Sequence, residues 1–411
     1  MRMLSADEAA QRLGVKVETV YAYVSRGSLT SHRGPDGRRS TFDAAEVDAL
    51  ARRGRPRRST RPPALDLTIE SRLTRIHDHR LSFRGRDALE LARTCTFEQV
   101  AELLWTGTVP ERPPIWQPVA GTEPAAFEPA AGMLDQMDRI RLTTVLTAAA
   151  DPLRGDLRPA SVTATARTLL STAVHALPLA PGTDATSTPR LTLPEGGSPI
   201  QGTLAGHLWN RLSSSRPRGL LPTLNAALVL LADHELASST LAARVAASTR
   251  ADPYAVVLAG LGPLAGPLHG GASRAVRRLL ASAEEVGATT ALADAARAHG
   301  SWPGFGHPLY PKGDPRARAL LDELRRAAGG RRGMDPVDSV LAAAQQRAEV
   351  APNVDFALGA LGHVAGMSPE SGEVVFTVSR MAGWVAHAIE EYEEAPLRFR
   401  ARAVPRPRAE P

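Results

Sequence analysis

The sequence lacks most of the features that mark secreted or membrane-spanning proteins. It contains a single cysteine, Cys95, in 411 residues, which excludes an intrachain disulfide framework and is typical of a reducing compartment. No apolar run approaches the roughly 20 residues of a membrane-spanning helix, and the first residues are amphipathic rather than typical of a signal peptide. We therefore expect a cytoplasmic protein with no membrane partner. Because Cys95 lies among apolar neighbours, we expect a buried structural thiol rather than a nucleophile.

Lysine is also scarce, since only Lys16 and Lys312 accompany the arginines that supply nearly every positive charge. Residues 1–63 contain 13 Lys and Arg against 7 Asp and Glu, which leaves 36 of each sign in the remainder. The whole net charge of +6 therefore belongs to the first part of the chain, where it favours an anionic partner. The length allows two or three domains with a sizeable core.

Residues 1–53 have the pattern of a small winged helix-turn-helix domain. Ser5 followed by Glu8 predicts a capping box at the start of a helix, and a second helix is predicted over 15–25. The predicted inner face of that helix consists of Val17, Val20, Tyr21 and Val24. Residues 33–39 are typical of a hairpin wing, and Asp43 predicts the cap of a third helix that ends at residue 53. This order of elements resembles the excisionase and MerR type of DNA-binding domain.

That resemblance implies that the second helix enters the major groove of DNA and that the wing contacts the backbone or the minor groove. The implied nucleic-acid contacts are Lys16, Thr19, Tyr21, Arg33, Arg38 and Arg39. The alternative is an accessory module whose charged face is solvated or binds a protein. Residues 54–64 are rich in arginine and proline and predict an extended basic linker.

The rest of the chain has the periodicity of a mainly α protein. An alternating segment over 69–85 with a polar tip at Asp78 predicts a hairpin. Apolar periodicity predicts helices over 134–150, 161–176, 315–328 and 335–349, further helices within 218–265, and a long last helix over 373–392. His77 and His79 lie at the hairpin tip without a third ligand in the nearby sequence, so we predict no metal site.

The stretch 304–316 contains three glycines and three prolines and must therefore form a loop. It carries His307, Lys312, Asp314 and Arg316, a dense set of hydrogen-bonding groups on a backbone that glycine allows close to a ligand. The Lys312 ammonium suggests a phosphate or carboxylate partner. From composition alone, a rigid surface loop in which Asp314 caps the next helix is an equal alternative.

Two further stretches favour the ligand-binding interpretation through a resemblance. Residues 266–272 read Gly-Pro-Leu-His-Gly-Gly-Ala, and residues 352–356 read Pro-Asn-Val-Asp-Phe. With the loop at 304–316 they resemble the citrate synthase signatures GP-x-HGGAN, GFGH-x-x-Y-x-x-x-DPRA and NVDF, in the order of that family. The Arg-Gly-x-Asp turn at 84–87 and the Leu-Leu-Trp-x-Gly ending at 103–107 are similar to the family as well. The resemblance covers about 345 residues.

The resemblance implies a mainly α, two-domain helical fold behind the winged helix-turn-helix head. The large domain would comprise residues 65–269 and 366–411, and the small domain residues 270–365. The implied reaction condenses acetyl-CoA, as co-substrate, with oxaloacetate to form citrate and coenzyme A in the tricarboxylic acid cycle, with no permanently bound cofactor and in a homodimer. Two alternatives stay open: a 2-methylcitrate synthase that uses propionyl-CoA, and a non-catalytic transcriptional regulator that senses oxaloacetate or acyl-CoA.

The resemblance also implies roles for single residues. Asp355 would remove a methyl proton, His269 would stabilise the resulting enol, and His307 would polarise the ketone. The implied oxaloacetate ligands are His234, Arg316, Arg380 and Arg400, with Arg400 reaching the partner subunit's site and Arg398 as the second choice for that role. The implied coenzyme contacts are Gly304, Phe305, Gly306 and Lys312. Taken singly, each residue could be structural: Asp355, for example, stands where helix caps are common.

The chain departs from the family pattern at three positions. Ala237 stands for an asparagine, Ser273 for the asparagine of HGGAN, and Ala403 for a tyrosine of the C-terminal tail. The first change removes an amide that could bond the substrate. Four histidines fit no motif and are predicted to be structural: His207, His299, His363 and His387.

Overall fold

The computed structural model describes residues 3–13, 15, 17–25, 29–33, 40–52, 68–120, 133–184, 187–217, 219–266, 271–330, 332–347 and 350–401. The chain divides into two compact units, Met1–Glu70 and Ser71–Pro411. The predicted basic linker at 54–64 lies outside the described residues, and the predicted domain boundaries stay predictions. The mainly α fold class is confirmed.

The first unit combines a small sheet with three described helices. Its elements are β1 (Met3–Ser5), α1 (Ala6–Leu13), α2 (Val17–Ser25), β2 (His32–Arg33), β3 (Ser40–Asp43) and α3 (Ala44–Arg52). The strands are antiparallel in the order β1-β3-β2. The capping box is confirmed, because the Ser5 N–H donates to the Glu8 carboxylate at 2.7 Å and the Glu8 N–H donates to the Ser5 hydroxyl at 3.3 Å. The predicted cap of α3 is confirmed too, since the Ala45 N–H donates to the Asp43 carboxylate at 2.9 Å.

The core of this unit corrects one expectation. It consists of Leu4, Ala9, Ala10, Val20, Leu29, Phe42, Ala44 and Val47. Tyr21 was expected on the inner face of α2, but 45% of its surface is exposed and its ring meets Phe42 edge-on at 6.3 Å. Strand β1 was not predicted at all, because its three residues are held only by pairing with β3, in which Leu4 lies opposite Phe42.

The second unit opens with a hairpin and continues with helices. The strands are β4 (Thr74–His77), β5 (Arg80–Phe83) and β6 (Arg86–Asp87), antiparallel in that order. The described helices are α4 (Ala88–Thr94), α5 (Phe97–Thr106), α6 (Gln136–Ala150), α7 (Pro159–His175), α8 (Leu204–Leu212), α9 (Leu221–Leu231), α10 (Ser238–Ser248), α11 (Pro253–Leu264), α12 (Ala272–Val286), α13 (Ala288–His299), α14 (Pro315–Ala328), α15 (Asp335–Gln345), α16 (Val354–Val364) and α17 (Ser371–Glu393). The hairpin tip at Asp78 is confirmed, with the positive φ angles of Asp78 and His79 that a tight turn needs.

Two groups of helices determine where a site can form. Helix α17 is buried along most of its length and packs against α5, α7, α9, α10 and α11. Helices α12 to α16 pack on one another; α14 also touches α9, and α16 touches both α9 and α17. Loops that connect these helices therefore meet where the two groups join. Cys95 is buried and has no disulfide, as expected. Among the described residues, no helix combines the length and apolar character needed to cross a bilayer.

Candidate active site

The loop at 304–316 is fixed to the segment that precedes α16. The Asn353 N–H donates to the Gly304 carbonyl at 2.8 Å, and the Gly306 N–H donates to the Ala351 carbonyl at 2.9 Å. The Asn353 side-chain amide donates to the Gly306 carbonyl at 2.9 Å. Gly304 has a φ of 81°, and a Cβ at this position would lie 2.6 Å from Val276 and 2.8 Å from Phe356. Two motifs that are distant in the sequence thus form one rigid segment.

Asp314 joins the same loop to two helices. Its carboxylate accepts the Arg316 N–H, which confirms its expected role as the cap of α14, and it also accepts the Val354 N–H at the start of α16 at 3.1 Å. The Arg316 guanidinium donates to it twice, at 3.0 and 2.8 Å, and both side chains are buried. The cap and the ligand-binding interpretations of this loop are therefore compatible.

Asp355 is not a helix cap. That role belongs to Asn353, whose side chain accepts the N–H groups of Asp355 at 3.0 Å and Phe356 at 3.4 Å. No described residue donates a hydrogen bond to the Asp355 carboxylate. Burial raises its pKa to about 6, while the charges of Arg316 and Arg380 oppose this rise and Asp314 adds to it. A carboxylate with a raised pKa and no structural bond has the properties of a general base.

Two imidazoles lie beside Arg316. His234 and His307 meet edge to face, with 5.5 Å between their ring centroids. The Nδ1 atom of His307 accepts the Leu309 N–H at 3.1 Å, so the proton of the neutral ring must sit on Nε2. Burial and Arg316 lower the pKa of His307, although Asp314 opposes them. Burial, Arg316, Arg380 and His307 lower the pKa of His234 well below its usual range. Both rings are therefore neutral hydrogen-bonding groups at physiological pH.

Arg380 completes this group from helix α17. Its Nε donates to the Leu231 carbonyl at 2.9 Å, and its guanidinium lies 4.7 Å from the centroid of the Phe376 ring. Burial lowers its pKa to about 10, so that it remains a cation at neutral pH. The charges of Asp355 and Arg316 both act on it. The structure thus brings together five of the predicted site residues: His234, His307, Arg316, Asp355 and Arg380.

The structure does not bring Arg400 or Arg398 into this group, and His269 lies outside the described residues. Arg400 is exposed, and Arg398 makes two hydrogen bonds of 2.7 Å to Glu391 of its own chain. Arg398, the second choice for a residue that reaches the partner subunit, therefore already has a role within its own subunit.

The three departures from the family pattern differ in their consequences. Ala237 is the N-terminal cap residue of α10 and makes no side-chain cap hydrogen bond, so the lost asparagine amide leaves that helix end without a side-chain acceptor. Ser273 is buried against Gly372, where a Cβ would lie 2.6 Å from the Ser273 Oγ. Ala403 lies outside the described residues.

Two cavities adjoin the 301–314 region. One, of about 650 Å³, is lined by Phe305, Lys312 and Arg318 together with polar and apolar residues of α14, α15 and the segment before α16. The other, of about 720 Å³, is lined by Ser301 and Pro303 and by the start of α12. Of the predicted coenzyme contacts, Phe305 and Lys312 line the first cavity. The polar backbone groups of Gly304 and Gly306 described above already bond to residues 351–353.

Sequence reasoning missed Tyr310 and the role of Asn353. The Tyr310 hydroxyl lies 2.9 Å from the His234 Nε2 atom, a contact between residues 76 positions apart. Tyr310 stands in the GFGH-x-x-Y signature and Asn353 in NVDF, so both motifs contained a signal. Of the histidines expected to be structural, His387 bonds Asp233 at 3.2 Å and His363 bonds Glu284 at 3.1 Å.

The predicted nucleic-acid contacts are only partly described. Thr19 is half-buried and Tyr21 is exposed on α2, and the backbone of Arg33 belongs to β2. Lys16, Arg38 and Arg39 lie outside the described residues, as does the tip of the predicted wing. Within the described ranges, no group of three or more His, Cys, Asp or Glu side chains could hold a metal ion.

The fold and this arrangement of side chains define a helical enzyme of the citrate synthase type. The family model described as "Citrate synthase, C-terminal domain" matches residues 67–408, and the one described as "Helix-turn-helix domain" matches residues 3–55. The chain therefore belongs to the citrate synthase family and carries a helix-turn-helix domain at its N-terminal end.

Both citrate synthases and a 2-methylcitrate synthase are similar in sequence to this chain. The citrate synthase of Mycolicibacterium smegmatis is 30% identical over 333 residues, which are 76% of this chain and 85% of the relative. The 2-methylcitrate synthase of Mycobacterium tuberculosis is 29% identical over 334 residues, 76% of this chain and 81% of the relative. Citrate synthase 2 of Bacillus subtilis is 36% identical over 173 residues, but these are 41% of this chain and only 46% of that relative.

Solved structures share the fold. Citrate synthase from Thermotoga maritima gives a TM-score of 0.62 at 23% identity, over 85% of this chain and 96% of the other. Citrate synthase from Thermoplasma acidophilum, solved as a ternary complex with carboxymethyl coenzyme A and oxaloacetate, gives 0.64 at 21% identity, over 84% of this chain and 96% of the other.

Proposed function

We propose that this protein condenses an acyl-coenzyme A with oxaloacetate, with acetyl-CoA as the donor and citrate and coenzyme A as products. The observation that carries the proposal is the Asp355 carboxylate, which has no described hydrogen-bond donor, a pKa raised to about 6 and a position where the charges of two buried arginines act on it. One of these arginines, Arg316, also acts on the neutral imidazoles of His234 and His307. A purely structural carboxylate at a helix start would cap the helix, and here Asn353 does so.

The proposed chemistry follows from what each group can donate or accept. The Asp355 carboxylate takes a proton from the thioester methyl group, and His269 donates a hydrogen bond to the oxygen of the enol. The Nε2–H of His307 polarises the ketone of oxaloacetate as the new carbon–carbon bond forms, and water then cleaves the citryl thioester. His234, Arg316, Arg380 and, from the partner subunit of a homodimer, Arg400 hold the carboxylates. No permanently bound cofactor enters this scheme.

Release of free thiol from acetyl- and propionyl-CoA in the presence of oxaloacetate tests this function. We expect the wild-type protein to release thiol with acetyl-CoA. A larger kcat/KM with propionyl-CoA would favour the alternative of a 2-methylcitrate synthase. The similar relatives include both a citrate synthase and a 2-methylcitrate synthase, so they do not decide between the two donors. No turnover with either donor would instead favour a transcriptional regulator that senses oxaloacetate or acyl-CoA.

For the coenzyme, we propose the cavity that Phe305 and Lys312 line, with Gly304 and Gly306 shaping its wall. Replacing Lys312 with alanine should raise the KM for acyl-CoA about 10-fold, because a charge-assisted phosphate contact would be lost, and leave the KM for oxaloacetate nearly unchanged. Steady-state kinetics with each substrate varied separately measure both values. Arg278→Ala in the second cavity is the matched comparison: if only this variant raises the KM for acyl-CoA, the coenzyme phosphates lie there instead.

We further propose that residues 1–53 bind DNA and that the protein acts in the cytoplasm. The basic surplus of the front end and the helix-turn-helix match support the first part. The full-length chain should shift DNA from the promoter next to its own gene, and the shift should weaken steeply with salt because phosphate contacts dominate such binding. A gel-shift titration at two salt concentrations measures this effect.

Deletion of residues 1–63 should abolish the shift while thiol release continues. Retained binding after the deletion would contradict the DNA-binding role of the head, and binding that is independent of salt would contradict a phosphate-dominated interface.

A further inference from the structure

Tyr310 lies among the residues of the proposed oxaloacetate site, yet the proposed chemistry gives it no role. Its side chain is 1% exposed, and its hydroxyl lies 2.9 Å from the Nε2 atom of His234. Its ring centroid is 4.9 Å from that of His307 and 5.5 Å from the guanidinium carbon of Arg316. Within its own loop, its N–H donates to the His307 carbonyl and its carbonyl accepts the Gly313 N–H. The phenol is thus held rigidly against His234.

The direction of the Tyr310–His234 hydrogen bond follows from the charge states. Burial raises the pKa of Tyr310 to about 12 and lowers that of His234 well below its usual range, so both groups are neutral. Either the phenol donates to a bare Nε2, or an Nε2–H donates to the phenol oxygen. The proposed contact of His234 with oxaloacetate resolves this choice, because the ketone and carboxylate oxygens of oxaloacetate only accept hydrogen bonds. A neutral His234 can donate to it only from Nδ1, which requires that Tyr310 donate to Nε2.

We propose that Tyr310 is a positioning residue that fixes the tautomer of His234 with the proton on Nδ1 and thereby makes this ring a donor to oxaloacetate. The inference rests on the proposed function, since it assumes that oxaloacetate is the ligand. His307 is fixed in the opposite sense, because the Leu309 N–H occupies its Nδ1 and leaves the proton on Nε2. Adjacent residues of one loop, Leu309 and Tyr310, therefore set the donor atoms of both imidazoles.

Replacing Tyr310 with phenylalanine tests this role and keeps the buried ring. We expect the KM for oxaloacetate to rise about 10-fold or more, because a donor that fixes the binding tautomer is lost. The KM for acyl-CoA should change less than about 2-fold by the same reasoning. Tyr254→Phe is the matched control, since Tyr254 is 2% exposed and its phenol bonds a side chain, Asp151, at 2.9 Å. An equal rise in the KM for oxaloacetate in both variants would overturn the proposal.

Nitrogen-15 NMR of protein labelled at histidine separates positioning from general loosening. In the wild type the His234 signals should report a protonated Nδ1 and an unprotonated Nε2, and Tyr310→Phe should add the other tautomer. In a His234→Asn background, Tyr310→Phe should have little further effect on oxaloacetate binding, because Tyr310 acts through His234. A wild-type His234 protonated on Nε2, or fully additive effects, would contradict the proposal.

Failure of this inference is distinguishable from failure of the proposed function. If the wild type turns over acyl-CoA and Tyr310→Phe matches it in the KM for oxaloacetate, only the role of Tyr310 is wrong. If the wild type shows no turnover, the proposed reaction is wrong, and oxaloacetate titrated calorimetrically into wild type and Tyr310→Phe still decides the role of Tyr310: equal affinities refute it, and an affinity about 10-fold weaker in the variant supports it.

Discussion

Replacing Asp355 with asparagine should lower kcat about 1,000-fold or more, because the proposed base for the methyl proton is lost while the shape of the side chain is kept. In the wild type, kcat/KM should fall as the pH decreases through about 6, where the Asp355 carboxylate becomes protonated. Thiol release measured across pH 5 to 9 checks both expectations in one assay. A variant with more than about a tenth of the wild-type kcat would contradict the assignment of the base.

The same substitution should stabilise the fold at alkaline pH. Burial raises the pKa of Asp355 from 3.8 to about 6, so the folded state binds the proton more tightly than the unfolded state. The stability that the protonated Asp355 side chain gives the folded state, relative to the ionised form, is therefore present below pH 3.8 and is lost as the pH rises through about 6. At pH 8 the ionised carboxylate costs the folded state up to about 3 kcal/mol, which asparagine avoids.

Denaturant unfolding of Asp355→Asn at pH 8 and at pH 4 measures this effect. The gain in the free energy of unfolding should be large at pH 8 and nearly absent at pH 4. Asp314→Asn is the matched control, for which the change in the free energy of unfolding should have the opposite sign, because it removes the carboxylate that holds the buried Arg316 guanidinium. It should destabilise the protein by about 3 kcal/mol or more. Loss of stability in Asp355→Asn at pH 8 would show that this carboxylate is structural.

Replacing Gly304 with alanine should have the second large effect, on stability and turnover together. The added Cβ would lie 2.6 Å from Val276 and 2.8 Å from Phe356, and φ at this position is 81°, which is strained for any residue with a side chain. Overpacking and backbone strain together should cost about 3 to 5 kcal/mol of unfolding free energy. Because Gly304 bonds Asn353, two residues before Asp355, turnover should fall as well.

Gly300→Ala is the control that separates the cost of steric overlap from the cost of backbone strain. Gly300 has a similar φ of 70°, but no atom lies within 4 Å of its added Cβ. The backbone strain alone should cost about 1 to 2 kcal/mol. Chemical denaturation of both variants compares the two costs directly. Equal losses would mean that the close approach of Val276 and Phe356 to Gly304 is unimportant.

The elements that the sequence predicts best are those fixed by neighbouring residues. The Ser5–Glu8 capping box, the hairpin tip at Asp78 and the helix over 315–328 depend on side chains within a few positions of one another. Strand β1 depends instead on pairing with residues 41–43, and local pattern cannot show such pairing. Helix α15 ends at Gln345, short of the predicted residue 349.

In the candidate site, too, local sequence predicts some features, whereas others depend on contacts between distant residues. The residues at 304–316 predict a loop from composition, and Lys312 suggests an anionic partner, but only the resemblance implied that the partners are oxaloacetate and a coenzyme. That Asp355 is free of the helix cap could not be inferred until the Asn353 side chain was placed. The Tyr310–His234 contact joins residues 76 positions apart, and the hydrogen bond that the Val354 N–H donates to Asp314 joins residues 40 positions apart. Such contacts exist only after the helices have packed.

The identity of the product tests the central claim most directly. Acetyl-CoA labelled with carbon-13 in both acetyl carbons is incubated with oxaloacetate and the protein, and the products are identified by mass spectrometry. Citrate that carries both labelled carbons should accumulate with the wild type and should be nearly absent with Asp355→Asn. Absence of any labelled tricarboxylate from the wild type, or its formation at an undiminished rate by Asp355→Asn, would contradict the account.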